Sequence, residues 1–299
     1  DLYMRGVSYR GIKDHLKQFL GLKIDHVTIM RWVNNYMAKI NNYVDTLKPK
    51  VSDLWNADEQ FIKVKGREQY VWNVLDNETR FLLASNQSPT RSYQDARDTF
   101  QMAKKIARKK AGTVVTDGSF NYTNAVRKEF ATYDNPKPHY RYVSLRERDS
   151  NNNVIERFHG SFRQRDKVMR GFKSNAKQYT DNFRTYYNFI REHQALKGLT
   201  PAQRAGIQQK ADWRELLRKS VEKIFLRLAK RNPSQLLIIE KKIEEIRQNP
   251  QHYKNLRKPL QHLKRVHIDK SFVLVFSIDE NKKHIIIEDF DHHDNIYSK

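Results

Sequence analysis

An α/β fold followed by a smaller α+β unit is predicted by three features of this sequence. Helical spacing of apolar residues gives way to strand-like runs between about residues 51 and 87. The turn signals Lys65-Gly66, Asp76-Asn77 and Asp117-Gly118 punctuate those runs. Beyond the connector QQKADWR, residues 208–214, the pattern restarts with two helices and then three strands. With 299 residues, 38% hydrophobic and 11% aromatic, the chain can bury one large core or two to three small ones despite 30% charge. A net charge of +23 lies far outside the range of a neutral metabolic enzyme and points to a polyanionic partner, most commonly nucleic acid. A membrane surface would attract the same charge, but no apolar run is long enough to span a bilayer and no signal peptide is visible. Cysteine is absent, which removes disulfides and thiolate metal sites and is compatible with a reducing cytoplasm.

Taken in order, residues 1–48 read as short helices. The chain opens at Asp1, without Met and inside a helical pattern, so a truncated N-terminus is expected. SYRGIKDHLKQFLGL sets Ile12, Leu16, Phe19 and Leu20 on one face and stops at Gly21. IDHVTIMRWVNNYM follows, with Val27, Met30 and Val33 expected inward and His26, Thr28 and Arg31 outward. Two helices around a tight Gly-containing turn, with basic and polar residues opening the second, have the form of a helix-turn-helix or of an ordinary helical hairpin. Tyr9, Arg10, His26, Thr28 and Arg31 are the candidate DNA contacts; Trp32 fits contact and core equally.

Residues 49–207 supply three strands (DLWNADEQFIKVKG, EQYVWNVLDN, ETRFLLASNQ), a helix over about 91–110, the short strand TVVT and a helix near 120–130. After the loop NPKPHYRYV come a short strand and a helix that carries Val154, Ile155, Phe158 and Phe162 as its apolar stripe. Glu156 leads that helix, ahead of Arg157, Arg163, Arg165 and Lys167. A longer helix over about 175–194 closes the region. Asp58 in the first strand, Asp117 at the end of TVVT and Glu156 on the helix can converge, because neighbouring strand ends lie close and a helix packs across them. Three hard oxygen donors suit Mg²⁺ or Mn²⁺. Two such ions about 4 Å apart stabilise the attacking and leaving oxygens of a phosphoryl displacement. Taken singly, Asp117-Gly118 fits a plain turn, and Asp58 fits a strand acid paired with Lys63 or Arg67. Glu59 competes with Asp58, although strand alternation sends the two to opposite faces. His159, one turn after Glu156, fits carboxylate orientation, DNA contact or a plain surface histidine.

WNADEQFIKVKG, VVTDGSFNY and NNNVIERFHGSFRQRDK, with 38 residues (118–155) between Asp117 and Glu156, resemble the DDE transposases of bacterial and archaeal insertion sequences. The likeness extends over about 1–207, including MRGFKS and HQALKGLTPAQRAG. It implies a ribonuclease-H-like mixed sheet flanked by helices, with Asp58, Asp117 and Glu156 as the catalytic and metal-binding triad for two Mg²⁺ (or Mn²⁺) ions. It also implies a basic residue seven positions after the Glu, which Arg163 supplies, and a helix-turn-helix for terminal repeats in 1–48. Arg157, Arg163 and Lys173 would hold phosphates flanking the scissile bond. The implied activity is metal-dependent strand cleavage and strand transfer on element-end and target DNA by a dimer or larger assembly in the prokaryotic cytoplasm, associated with the nucleoid.

The tail, 215–299, reads as helices at 215–230 and 234–247, then strands LKRVHI, SFVLVFSI and HIIIEDF. EKKIEEIRQNPQHYKNLRKPLQHLKRVHI through DHHDNIY resembles the RelE/ParE superfamily of toxins, in its histidine-containing, YafQ-like branch. That likeness implies a small α+β RelE-like domain, metal-free cleavage of messenger RNA on the ribosome, and an antitoxin partner. Metal-free RNA cleavage requires a base at the 2′-hydroxyl, cations at the phosphate and an acid for the leaving oxygen. Lys254, His267, His293 and Tyr297 are the matching positions, with Arg257, Lys264 and Arg265 for phosphate. Ser271 stands where the branch usually has an Asp, and the tail opens in a helix where the superfamily opens in a strand. His292 and His293 beside Asp291 and Asp294 also fit a divalent-metal site. Two other readings remain open for the whole chain: a toxin-like ribonuclease with a DNA-binding module, and a non-catalytic DNA-binding remnant of a mobile element.

Overall fold

A computed structural model describes residues 1–117, 119–141, 152–173, 176–257, 260–280 and 284–296. It divides into two compact units, Asp1–Gly6 with Val44–Asp212, and Val7–Tyr43 with Trp213–Lys299. No described helix is long and apolar enough to cross a membrane.

The first unit is built on a five-stranded mixed sheet in the order β3-β2-β1-β4-β5. Its strands are β1 (Leu54–Val64), β2 (Arg67–Asp76), β3 (Leu82–Ser88), β4 (Thr113–Thr116) and β5 (His139–Arg141). β1, β2 and β3 form an antiparallel meander, whereas β4 runs parallel to β1 and β5 parallel to β4. Alternation along β1 separates the two faces. Trp55 packs edge-on against Phe130 of α4 (Phe120–Phe130), and Phe100 of α3 (Tyr93–Ala107) meets the same ring at 5.2 Å. Asn56 faces the other way, toward α5 (Asn153–Met169), through a bond to Asn152. Behind α5, α6 (Lys177–Phe189) is buried along most of its length, its Phe183 and Tyr187 packed among Phe158 and Phe162. Asn188 of α6 accepts from Leu82 N (2.8 Å) and donates to Leu82 O (2.9 Å), satisfying the backbone at the β3 edge.

Two of the sequence motifs act here as connectors. In MRGFKS, Gly171 (φ +84°) brings the chain so close to β1 that a Cβ would sit 3.0 Å from Lys63 O. Phe172 N then donates to Lys63 O at 2.7 Å. In TPAQ, Thr200 and Gln203 form a reciprocal cap on the short α7 (Pro201–Arg204).

In the second unit, α1 (Tyr9–Leu20) starts on Ser8, whose side chain accepts from Gly11 N, and ends at Gly21 in the left-handed region (φ 62°), as the turn chemistry predicts. α2 (His26–Val44) follows, and residues 2–6 form turns instead of the expected helix. Two apolar faces need correction. Phe19 and Leu20 are 71% and 61% exposed, and the inward stripe of α2 runs through Ile29, Met37 and Ile40, leaving Met30 exposed. The tail comprises α8 (Trp213–Arg231), α9 (Pro233–Gln248), an antiparallel sheet β6-β7-β8 (Lys264–Ile268, Phe272–Asp279, His284–His292) and the short α10 (His293–Ile296). Val221, Ile239 and Ile246 of the helices bury against Val266, Ile268, Leu274, Phe276 and Phe290. Helix-first order and a three-stranded sheet agree with the sequence pattern.

Candidate active site

β4 pairs with β1 only as far as Val115 with Asn56, and it stops at Thr116. Past that end, among the described residues, no strand pairs with β1 on that side until Val64 bridges to Phe172, and acids from both faces meet there. Asp58, on the α5 side, and Glu59, on the α4 side, bring carboxylate oxygens within 4.8 Å of each other and of Asp117. Alternation is therefore real and Glu59 still reaches the cleft, because the neighbouring strand has ended. Glu59 is tied there by the Tyr122 hydroxyl, which donates at 2.6 Å, and by Arg91. Arg91 also lies 3.6 Å from Asp117. Asp117 is more than a turn residue, although its Oδ1 does accept from Ser119 N at 3.0 Å. The strand-acid reading of Asp58 gives way to a different pairing: His159 Nδ1 lies 3.5 Å from Asp58 Oδ2.

Glu156 differs from expectation. It stands exposed in the first turn of α5, outside the group of three whose oxygens converge. Its charge is nonetheless felt at Asp58. Burial pushes the Asp58 carboxyl up to about 8, and Glu59, Asp117 and Glu156 add to the rise by repulsion. The N-terminus of α5 is pinned over β1 by Asn56, whose Nδ2 donates to Asn152 Oδ1 (3.1 Å) while its Oδ1 accepts from Asn77 (2.8 Å).

His159 is no surface histidine. It is 3% exposed and points its Nδ1 at Asp58 Oδ2, 3.5 Å away. Burial, helped by Arg163, pushes its pKa down to about 3, so the ring is neutral. Asn73 Nδ2 lies 3.2 Å from its Nε2, and Ser85 Oγ donates to Asn73 Oδ1 at 2.9 Å. With Nε2 accepting from the amide, the proton sits on Nδ1 and faces the Asp58 carboxylate. Ser85, Asn73 and His159 thus form a directed chain that orients one acid. Arg157, Arg163 and Lys173 are exposed, as a phosphate-binding rim requires. Arg165 is not part of that rim: it is 7% exposed and donates to Tyr3 O. Sequence reading missed Glu59 as a member of the acid group, together with Arg91, Asn56 and Asn73. The only signal was the polar run Asn56, Asp58, Glu59, Gln60 in a buried strand.

The donor set is all carboxylate oxygen, with Asp58, Glu59 and Asp117 each offering an oxygen within 4.8 Å of the others, and burial first and mutual repulsion second hold the Asp58 carboxyl up. These residues fit a hard divalent ion.

In the second unit, Tyr9, His26 and Thr28 are half-buried and Arg10 and Arg31 exposed, with His26 Nδ1 3.2 Å from Asp25. Trp32 is half-buried. In the tail, Lys264 Nζ donates to Tyr253 O and Asn255 Oδ1, both at 3.0 Å, and Arg265 N donates to Lys254 O at 3.1 Å. Lys254, Arg257 and His267 are exposed. His293 N donates to Ser271 O at 2.7 Å, which sets it at the end of the sheet where His267 also lies. Asp269, not Ser271, directly follows β6, but its carboxylate accepts from Gln235 (3.3 Å) on the helix side. The metal reading of the histidine pair keeps His292, His293 and Asp294, with ligand atoms within 4.8 Å, while Asp291 is drawn away by Lys39. Tyr297 lies outside the described residues.

A mixed sheet with two acids on its central strand and a third just past the end of the parallel neighbour, faced by a helix bearing another, is the layout of the DDE polynucleotidyl-transferase class. The chain belongs to that family: the family model described as a DDE domain matches residues 52–204, just over half of the chain. A second model, the ParE toxin of type II toxin-antitoxin systems, matches residues 211–297. The tail is 65% identical over 80 residues to the RelE4 toxin candidate of Methanocaldococcus jannaschii, covering 27% of this chain and 85% of that protein. A 72-residue stretch is 32% identical to the IS431mec transposase of Staphylococcus aureus, 24% of this chain and 32% of that one, so the match spans about a third of the transposase. Among solved structures, the HTLV-2 integrase catalytic core domain in complex with magnesium covers 52% of this chain and 95% of its own, at 12% identity and a TM-score of 0.39.

Proposed function

We propose that the chain is a DNA transposase that cleaves and joins strands of its own mobile element, with Asp58, Asp117 and Glu156 holding two Mg²⁺ ions and Glu59 close by. The observation that carries this reading is the convergence of Asp58, Glu59 and Asp117, whose carboxylate oxygens lie within 4.8 Å of one another, where a divalent cation is the natural counter-charge. Bound there, such ions would activate a water or a 3′-hydroxyl and neutralise charge developing on the phosphate. The protein's own part is positional. His159 orients Asp58, Arg91 pairs with Glu59 and lies near Asp117, and Asn56 anchors the end of α5 that carries Glu156. Arg157, Arg163 and Lys173 bind backbone phosphates without reading bases. α1 and α2, through Tyr9, Arg10, His26, Thr28 and Arg31, bind the element ends, and synapsis of two ends calls for a dimer or larger assembly.

The test is incubation of the full chain with linear DNA bearing candidate element ends, with and without Mg²⁺, scored for nicking and joining. Asp117→Asn should abolish both while leaving DNA binding intact; retained cleavage would remove the acid assignment. A second activity is favoured by the 65% identity of the tail to a toxin-named relative. On this reading Lys254, His267 and His293 act in proton transfer and Arg257, Lys264 and Arg265 at phosphate, cutting messenger RNA without metal until an antitoxin binds. Chelation separates the two, stopping DNA chemistry and sparing RNA cleavage.

A further inference from the structure

The tail sheet has one face covered by α8 and α9 and one turned away from them. Val266, Ile268, Leu274, Phe276 and Phe290 enter the helix-side core, so the alternate positions fall on the other face. Cross-strand pairing arranges these in two rows, His267–Val273–Asp291 and Arg265–Val275–Asp289. α2 engages this second face. Lys39 Nζ lies 2.5 Å from Asp289 Oδ1 and 2.8 Å from Asp291 Oδ2, and Asn35 Nδ2 donates to Asn295 O at 3.3 Å. Lys39 and Asp289 are 12% and 7% exposed, so the pair is desolvated.

Two properties make this seat releasable. The links are polar, and a buried ion pair roughly breaks even against the cost of removing its charges from water. A cavity of about 460 Å³ also opens beside the helix, lined by Trp32, Tyr36, Leu217, Leu256, Val275 and Ile286.

Helical spacing adds a conflict of use. Residues 28, 32, 35 and 39 share one face of α2, with 31 at its border. Thr28, proposed above to contact DNA, therefore belongs to the stripe that Asn35 and Lys39 seat on the sheet, and Arg31 borders it. A helix that reads a major groove presents a single stripe to the bases.

We propose that the outer face of the tail sheet is a docking surface for α2, and that seating α2 there and presenting it to duplex DNA are mutually exclusive. The inference rests on the DNA-binding reading of α1 and α2. Because coupling is reciprocal, DNA that draws α2 away uncovers Asp289 and Asp291 of the tail sheet.

The chain contains no cysteine, so Asn35→Cys with Asn295→Cys in the full chain can be bridged selectively by a short bis-maleimide. The probe is a fluorescein-labelled duplex carrying the sequence that flanks the chain's own reading frame, in excess unlabelled competitor. Bridging should occur within one chain, saturating duplex should suppress it, and the bridged protein should bind the duplex at least about tenfold more weakly than the same variant capped with N-ethylmaleimide. Adding Lys39→Glu should lower the bridging yield, and adding Asp291→Lys with it should restore the yield, which guards against a folding artefact. Bridging indifferent to DNA, or equal affinity of bridged and capped forms, overturns the proposal and leaves the DNA-binding reading standing. No duplex binding by the capped form overturns that reading, and the proposal with it.

Discussion

Replacing Asp58 by Asn should stabilise the metal-free protein, increasingly so at higher pH. Asp58 titrates at about 8 in the folded chain against about 3.9 for an unfolded Asp. The folded state thus holds an extra proton between those values. Stability associated with Asp58 is complete below about pH 4 and is lost as pH rises through about 8. Roughly four pH units at about 1.4 kcal/mol each set a ceiling on the order of 5 kcal/mol. The Asp58 side chain is 19% exposed, so solvent screens part of this and a few kcal/mol is the working figure. Asn keeps an oxygen for the His159 Nδ1–H and cannot ionise. Calorimetry in chelator should show the Asp58→Asn variant melting higher than the parent by about 5–10 °C at pH 8.5 and by much less at pH 5. Added Mn²⁺ should then raise the parent's transition at pH 8.5 and leave the variant's unmoved. A pH-independent advantage, or equal stabilisation of both proteins by Mn²⁺, would refute the electrostatic reasoning.

Three further perturbations probe the frame around the site. His159→Phe removes the proton that faces Asp58 and should lower metal affinity or strand cleavage about 10–100-fold without weakening DNA binding, measured by Mn²⁺ titration and gel shift. Asn56→Ala leaves the buried Asn152 amide and the half-buried Asn77 amide short of a partner, which costs about 1–3 kcal/mol; cleavage should fall more than duplex affinity, because Glu156 rides on the helix that Asn56 pins. Phe276→Ala opens a cavity in the tail core at a cost of about 3–5 kcal/mol, and should speed proteolysis within 213–296 while Mg²⁺-dependent nicking persists.

Much of the fold was legible from local patterning. The first four strands of the first sheet, both tail helices and all three tail strands lie where periodicity and turn residues put them, because burial on one or both faces dictates the spacing; β5 (His139–Arg141) instead falls inside the segment read as a loop. Gly21 announced the end of α1. The apolar faces of α1 and α2 were misread: Phe19, Leu20 and Met30 continue a helical stripe, yet a stripe does not say which part of it will be covered. For His159, a surface position was one of three open readings, and the deciding neighbours could not be seen. Asn73 and Ser85 lie on β2 and β3, far away in sequence.

The sequence by itself determined the α/β plan, the excess of positive charge, and which acids stand at strand ends and at the head of α5. Residue order sets spacing and chemistry, and those are local. Only the tertiary structure decided that Glu59 joins Asp58 and Asp117, that Glu156 stands apart from them, and that a buried histidine faces Asp58. These depend on where β4 stops relative to β1 and on which side chains desolvate one another, distances that no linear pattern contains.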